Sequence, residues 1–187
     1  KIRLTGGEPL VRRNIIILIR KLGEYVRSNQ LDELTLTTNG SQLVKYAAEL
    51  VAAGIRRINV SLDTLKPEKF QEISRWGKLS DVLVGLEAAQ AAGLEIKINT
   101  VALKNFNENE VDDIIAWCGE NSFDLTFIET MPMGEIDGNR IDHYLPLSIL
   151  KKRISNSWTL EETEYRTGGP ARYSTIRETG KRIGFIT

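Results

Sequence analysis

Lys1-Ile2-Arg3-Leu4-Thr5-Gly6-Gly7-Glu8-Pro9 begins with apolar and polar side chains in strict alternation, then breaks into two glycines, an acid and a proline. Alternation with period two marks a strand with one buried face, and the break marks a tight turn. The same change recurs downstream. Leu34 and Leu36 oppose Thr35, Thr37 and Asn39 before Gly40, and Ile58, Val60 and Leu62 oppose Asn59, Ser61 and Asp63. Ile96 and Ile98 oppose Lys97 and Asn99. These patterns predict strands over 1–5, 33–39, 55–63, 94–103 and 124–131. In the last, Glu129 and Met131 share a side with Leu125 and Phe127, so alternation leaves its inward face open.

Between the strands lie stretches of helical period, predicted over 13–28, 43–53, 67–74, 80–92 and 108–120. Ser41 and Ser80 are candidate N-caps, and Gly54 and Gly93 stand where helices stop. Strand and helix in regular alternation specify βα units with a parallel sheet. After Pro132 the rhythm breaks, with a short helix predicted over 146–154, a Gly- and Thr-rich tail, and a last strand over 182–187. The domain division read from this change is 1–131 and 132–187.

Helices covering the sheet from outside need its apolar face. The polar faces then line the inside of a closed or partly closed barrel, where Lys1, Arg3 and Lys97 demand compensation. An anionic ligand such as a di- or triphosphate supplies it, and so would pairing with Glu8, Asp63 or Glu129. Ligand groups in such folds gather where the strands finish. The polar and glycine-bearing segments of this chain fall there: Gly6-Gly7-Glu8-Pro9, Thr37-Thr38-Asn39-Gly40, Ser61-Leu62-Asp63 and Glu129-Thr130-Met131-Pro132. Adjacent glycines let a ligand approach the main chain closely.

The 187 residues carry 25 basic and 25 acidic side chains, a formal charge of zero, with 41% hydrophobic and 27% charged residues. That composition supports a folded core and argues against a nucleic-acid or membrane surface, both of which need a net basic field. No run of 18 apolar residues and no signal-peptide pattern is present, so a cytoplasmic protein is expected. The single Cys118 excludes an internal disulfide and any cluster built from this chain's cysteines alone. It lies in an amphipathic helix and reads as a buried thiol; the single His143 reads as a loop residue without a metal.

The ordered blocks Gly6-Gly7-Glu8-Pro9, Thr37-Thr38-Asn39-Gly40, Ile58-Asn59-Val60-Ser61-Leu62-Asp63, Lys97-Ile98-Asn99 and Phe127-Ile128-Glu129-Thr130-Met131 resemble the radical S-adenosylmethionine enzymes. With Lys1-Ile2-Arg3-Leu4-Thr5, they resemble the branch that acts on GTP in molybdenum cofactor synthesis. The resemblance implies an α/β fold, a partial (β/α)6 TIM-like barrel, with S-adenosylmethionine at the rim and GTP within. It implies cofactor contacts at Gly6, Gly7, Glu8, Ser61 and Met131, and substrate contacts at Arg3, Thr37, Lys97 and Lys1. It further implies two [4Fe–4S] clusters, a homodimer, and cyclic pyranopterin monophosphate synthase as the next enzyme.

The chain departs from the family pattern in two respects. Neither family cysteine motif lies within it; both would fall outside Lys1 and Thr187, so the chain reads as a piece of a longer protein that by itself binds no cluster and is inactive. Thr126 stands where relatives carry Arg. Other readings are a peptide-modifying radical enzyme, an aldolase with Lys97 as Schiff-base amine, and a nucleotide-binding scaffold without clusters.

Overall fold

Parallel pairing of three short strands organises the first of two units, which comprises residues 1–61 and 66–97. The structure, a computed structural model, describes residues 1–130 and 143–187. In the first unit, β1 (Ile2–Leu4), β2 (Leu34–Thr38) and β3 (Arg57–Ser61) lie side by side, with Ile2 opposite Leu34 and Leu36 opposite Ile58. Helices α1 (Ile15–Arg27), α2 (Leu43–Ala52), α3 (Pro67–Ser74) and α4 (Leu79–Ala91) intervene, and a 3-10 turn, Pro9–Val11, follows β1.

The expected boundaries hold to within a few residues because each element follows a local period. Leu34, Leu36, Ile58 and Val60 are buried, and helices supply Ile15, Ile19, Leu43, Leu50, Val82 and Leu86 to the same core. Ile2 is the exception at 37% exposed; β1 is the outermost strand of the three. Gly23 faces the end of α2 so closely that a Cβ there would lie 1.9 Å from the Ala53 carbonyl oxygen. Gly85 of α4 likewise faces the Gly40 carbonyl at 2.6 Å.

Two expected caps are corrected. Helix α2 is preceded by Gln42 and α4 by Lys78, neither with a side-chain cap bond. The Ser41 amide instead donates to Asn39 Oδ1 at 3.0 Å, and Leu43 N–H donates to the Gly40 carbonyl. An Asx turn has taken the place of a serine cap. Gly54 and Gly93 do stand just past the ends of α2 and α4.

At the start of the strands, Glu33 accepts from Arg57 and pairs with Lys1 at 2.5 Å. The Arg57 guanidinium, aided by Lys1, holds the Glu33 carboxyl down to about 2. A depressed carboxyl stabilises the fold above its unfolded value of 4.5, and the contribution fades as pH falls toward 2. Glu33→Gln is therefore expected to lower stability at pH 7 by ~0.5 kcal/mol, as for a partly exposed pair. The deficit should shrink as thermal melts are moved from pH 5 toward pH 3; a deficit independent of pH would refute the ion-pair account.

The second unit comprises residues 62–65 and 98–187. Strand β4 (Glu95–Ala102) runs from one unit into the other, followed by α5 (Val111–Glu120), β5 (Asp124–Glu129), α6 (Leu147–Ser157), β6 (Leu160–Glu162), β7 (Arg172–Ile176) and β8 (Arg182–Ile186). The tail contributes the expected last strand, β8, and two strands that were not expected, β6 and β7. In the order β4-β5-β8-β7-β6, β8 pairs parallel to β5 and antiparallel to β7. Leu125, Phe127, Ile183 and Phe185 are buried, as are Ile114, Cys118, Leu150 and Ile154 of α5 and α6. Among the described residues, no helix is long and apolar enough to cross a membrane.

Candidate functional site

The turn after β1 presents bare main chain. Gly6 takes φ +133°, which glycine alone adopts readily, and a Cβ built on Gly6 or Gly7 would meet nothing within 4 Å. Both glycines are exposed. This is an open cradle with room for a ligand against the backbone.

Glu8 closes the turn. Its Oε1 accepts from Leu10 N–H at 3.0 Å and from Thr38 Oγ1 at 2.8 Å, while Oε2 accepts from Asn39 N–H at 2.6 Å. Thr38 Oγ1 in turn accepts from Gly40 N–H at 3.1 Å. One carboxylate thus joins the loop after β1 to the loop after β2.

The strand register sets the polar row beside this turn. Arg3 stands opposite Thr35, and Thr37 opposite Asn59. Asn59 Nδ2 donates to Thr37 Oγ1 at 3.3 Å, and Thr35 Oγ1 donates to the Arg57 carbonyl at 2.8 Å. Thr35 and Asn59 are buried, Thr37 and Lys97 half-buried, and Arg3, Asn39 and Ser61 exposed. The first unit therefore carries Arg3, Thr37, Ser61, Lys97 and the glycine turn together. Lys1 is held by Glu33 beside the start of β2, a partner not among the acids expected from the sequence. Met131 lies outside the described residues.

In the second unit, residues 62–65 are bound by groups that sequence reasoning missed. Asn107 Nδ2 donates to the Asp63 carbonyl at 2.7 Å and to the Val101 carbonyl at 2.8 Å, while its Oδ1 accepts from Leu103 N–H at 2.8 Å. Buried Glu110 accepts from Thr64 Oγ1 at 2.6 Å and from Leu65 N–H at 3.3 Å. Both residues sit in a polar run before α5 that reads, by sequence, only as a helix start. The Asp63 carboxylate accepts from Val101 N–H at 2.7 Å, and burial raises its carboxyl above the ordinary range.

Cys118 is buried, and burial pushes its thiol well above the usual value, so it is not a nucleophile. His143 Nδ1 lies 2.8 Å from the Lys104 carbonyl. Thr126 is fully buried, with no hydrogen-bond partner for its hydroxyl among the described residues. A Cβ on Gly184 would come within 3.1 Å of that hydroxyl and 2.7 Å of the Tyr173 ring. No group of three His, Cys, Asp or Glu among the described residues is arranged to hold a metal ion.

A family model for the radical SAM superfamily matches residues 1–118. The chain belongs to the radical SAM superfamily. A second model, Molybdenum Cofactor Synthesis C, matches residues 123–187. The radical SAM chain is 62% identical over 187 residues to proteins named GTP 3′,8-cyclase from Sinorhizobium medicae (strain WSM419) and Rhizobium meliloti (strain 1021). It is 61% identical to the protein of that name from Brucella ovis. Each match covers 100% of this chain and 54% of the relative; the chain spans about half the length of these relatives.

Among solved structures, it is similar to SuiB of Streptococcus suis bound to S-adenosylmethionine, with a TM-score of 0.64 and 20% identity over 83% of this chain and 36% of that one. It is also similar to coproporphyrinogen III oxidase (HemN) from Escherichia coli, a radical SAM enzyme, at TM-score 0.61 and 16% identity, covering 86% and 42%. These likenesses establish the fold: a mixed α/β core with a parallel sheet, as expected from the strand and helix pattern.

Proposed function

We propose that this chain is the core of a cytoplasmic GTP 3′,8-cyclase of molybdenum cofactor synthesis. The observation that carries the reading is 60–62% identity along the whole chain to proteins of that name. The match of residues 123–187 to Molybdenum Cofactor Synthesis C supports it.

In this reading the full-length enzyme converts GTP to (8S)-3′,8-cyclo-7,8-dihydroguanosine 5′-triphosphate. Bound S-adenosylmethionine would supply the radical that takes the ribose 3′ hydrogen before ring closure at guanine C8. The open turn fits this cofactor: Gly6 and Gly7 offer main-chain donors and acceptors to its methionine part, with Ser61 and Met131 as further contacts. Arg3, Thr37 and Lys97 bind GTP. Lys1, paired with Glu33, has further N–H donors and joins them as an additional phosphate partner. The described residues do not fit an iron–sulfur cluster; two [4Fe–4S] clusters would be ligated in the half of the relatives' length that this chain does not span. A homodimer and cyclic pyranopterin monophosphate synthase as the next enzyme complete the proposal.

The test is calorimetry on the full-length protein. Arg3→Ala and Lys97→Ala should each weaken GTP binding about tenfold, ~1.4 kcal/mol, and leave S-adenosylmethionine binding within about threefold. Equal losses for both ligands would refute the assignment of sides.

A further inference from the structure

We propose that Glu8 is a positioning residue: its carboxylate latches the glycine turn to the loop after β2, and it acts on the cofactor through the path of the Gly6-Gly7 backbone. The inference rests on the reading above for the identity of the ligand. The latch itself is geometry.

Both carboxylate oxygens of Glu8 are engaged, Oε1 by Leu10 N–H and Thr38 Oγ1, and Oε2 by Asn39 N–H. Hydrogen bonds to an ionised carboxylate are the stronger kind, and three of its roughly four acceptor positions are filled. Pro9 and Leu10 beyond Glu8 are buried, but the glycines before it have little else to hold them. Gly6 and Gly7 bring no side chain, and their Cβ positions are open. A ligand that binds bare backbone needs that backbone in one place beforehand, since ordering it at the moment of binding would reduce affinity.

The far end of the latch is rigid. Thr38 Oγ1 donates to Glu8 and accepts from Gly40 N–H, so the hydroxyl relays between the two loops. Gly40 is buried at φ +82°, with the Val60 and Val82 side chains 3.2 and 2.9 Å from where its Cβ would be. Its carbonyl abuts Gly85 of α4. A glycine pair without side-chain packing of its own is thereby tied to close-packed backbone.

Thr38→Val separates this role from direct ligand contact, because Thr38 is only 2% exposed. In the full-length protein, S-adenosylmethionine affinity is measured by calorimetry for wild type, Glu8→Gln, Thr38→Val and the double variant. Amide hydrogen exchange is followed at Leu10 and Asn39. Each single variant should weaken binding three- to tenfold, with the double variant no weaker than the worse single one. Exchange at Leu10 and Asn39, whose amides donate to Glu8, should quicken at least fivefold in Glu8→Gln. Glu8→Asp, which keeps the charge but shortens the reach, should behave like Glu8→Gln, and cooperative thermal melts of both variants above the assay temperature exclude a folding defect.

Wild-type affinity in Thr38→Val alongside a loss in Glu8→Gln, or losses that add, would make Glu8 a direct ligand contact and overturn the proposal. Unchanged exchange in Glu8→Gln would overturn the latch whatever binds. If the wild-type protein binds no S-adenosylmethionine while exchange still quickens, the cofactor assignment falls and the latch stands.

Discussion

Replacing Gly7 by valine in the full-length protein is expected to weaken S-adenosylmethionine binding thirtyfold or more, about 2 kcal/mol, while the melting temperature moves by no more than about 2 °C. The two halves of this expectation have separate causes. A Cβ at Gly7 would meet nothing within 4 Å, and the residue is not in the left-handed region, so the fold has no reason to reject a side chain there. A ligand lying against that backbone does: a β-branched side chain is stiff and occupies the approach. Gly6 would be a poor choice for the same test, because its φ of +133° would strain any substitute and mix folding with binding. Calorimetry with thermal denaturation separates the effects, and unchanged affinity would remove Gly7 from the site.

Gly23→Ala should destabilise the protein by ~3 kcal/mol. The added carbon would sit 1.9 Å from the Ala53 oxygen, 2.9 Å from its carbonyl carbon and 3.4 Å from its Cα. All three are main-chain atoms, so no rotamer change gives relief and α1 must move away from the end of α2. Overpacking of this kind costs about 1–3 kcal/mol or more, against a gain in helix propensity of at most ~1 kcal/mol. Urea denaturation of the two proteins measures it. A loss below 1 kcal/mol would mean that the helices are not in backbone contact as described.

Much of the architecture is legible in the residues. The α/β class, the parallel strands and the helix positions follow from periods of two and 3.6, which chain geometry imposes on each segment by itself. The glycine turn was legible too, because Gly6-Gly7 after a strand permits backbone conformations that other residues avoid. Ser41 shows one local rule displacing another: a serine before a helix is a good cap, yet the helix starts one residue later, after Gln42, and the Ser41 amide closes an Asx turn on Asn39. Asn107 and Glu110 went unseen because their partners lie 44 and 46 residues away.

Lys1 makes the same point within one strand. Alternation says which side of β1 it occupies, and side alone suggested a ligand. The register that places Ile2 against Leu34 also brings Glu33 alongside, and that register is a property of two strands together. The amino-acid order by itself determined which elements form and which face of each is polar, because those depend on neighbours along the chain. Only the tertiary structure decided that Glu8 grips Thr38 and Asn39, that Glu33 holds Lys1, and that Gly6-Gly7 stands open, because each depends on how far one strand has slid past another.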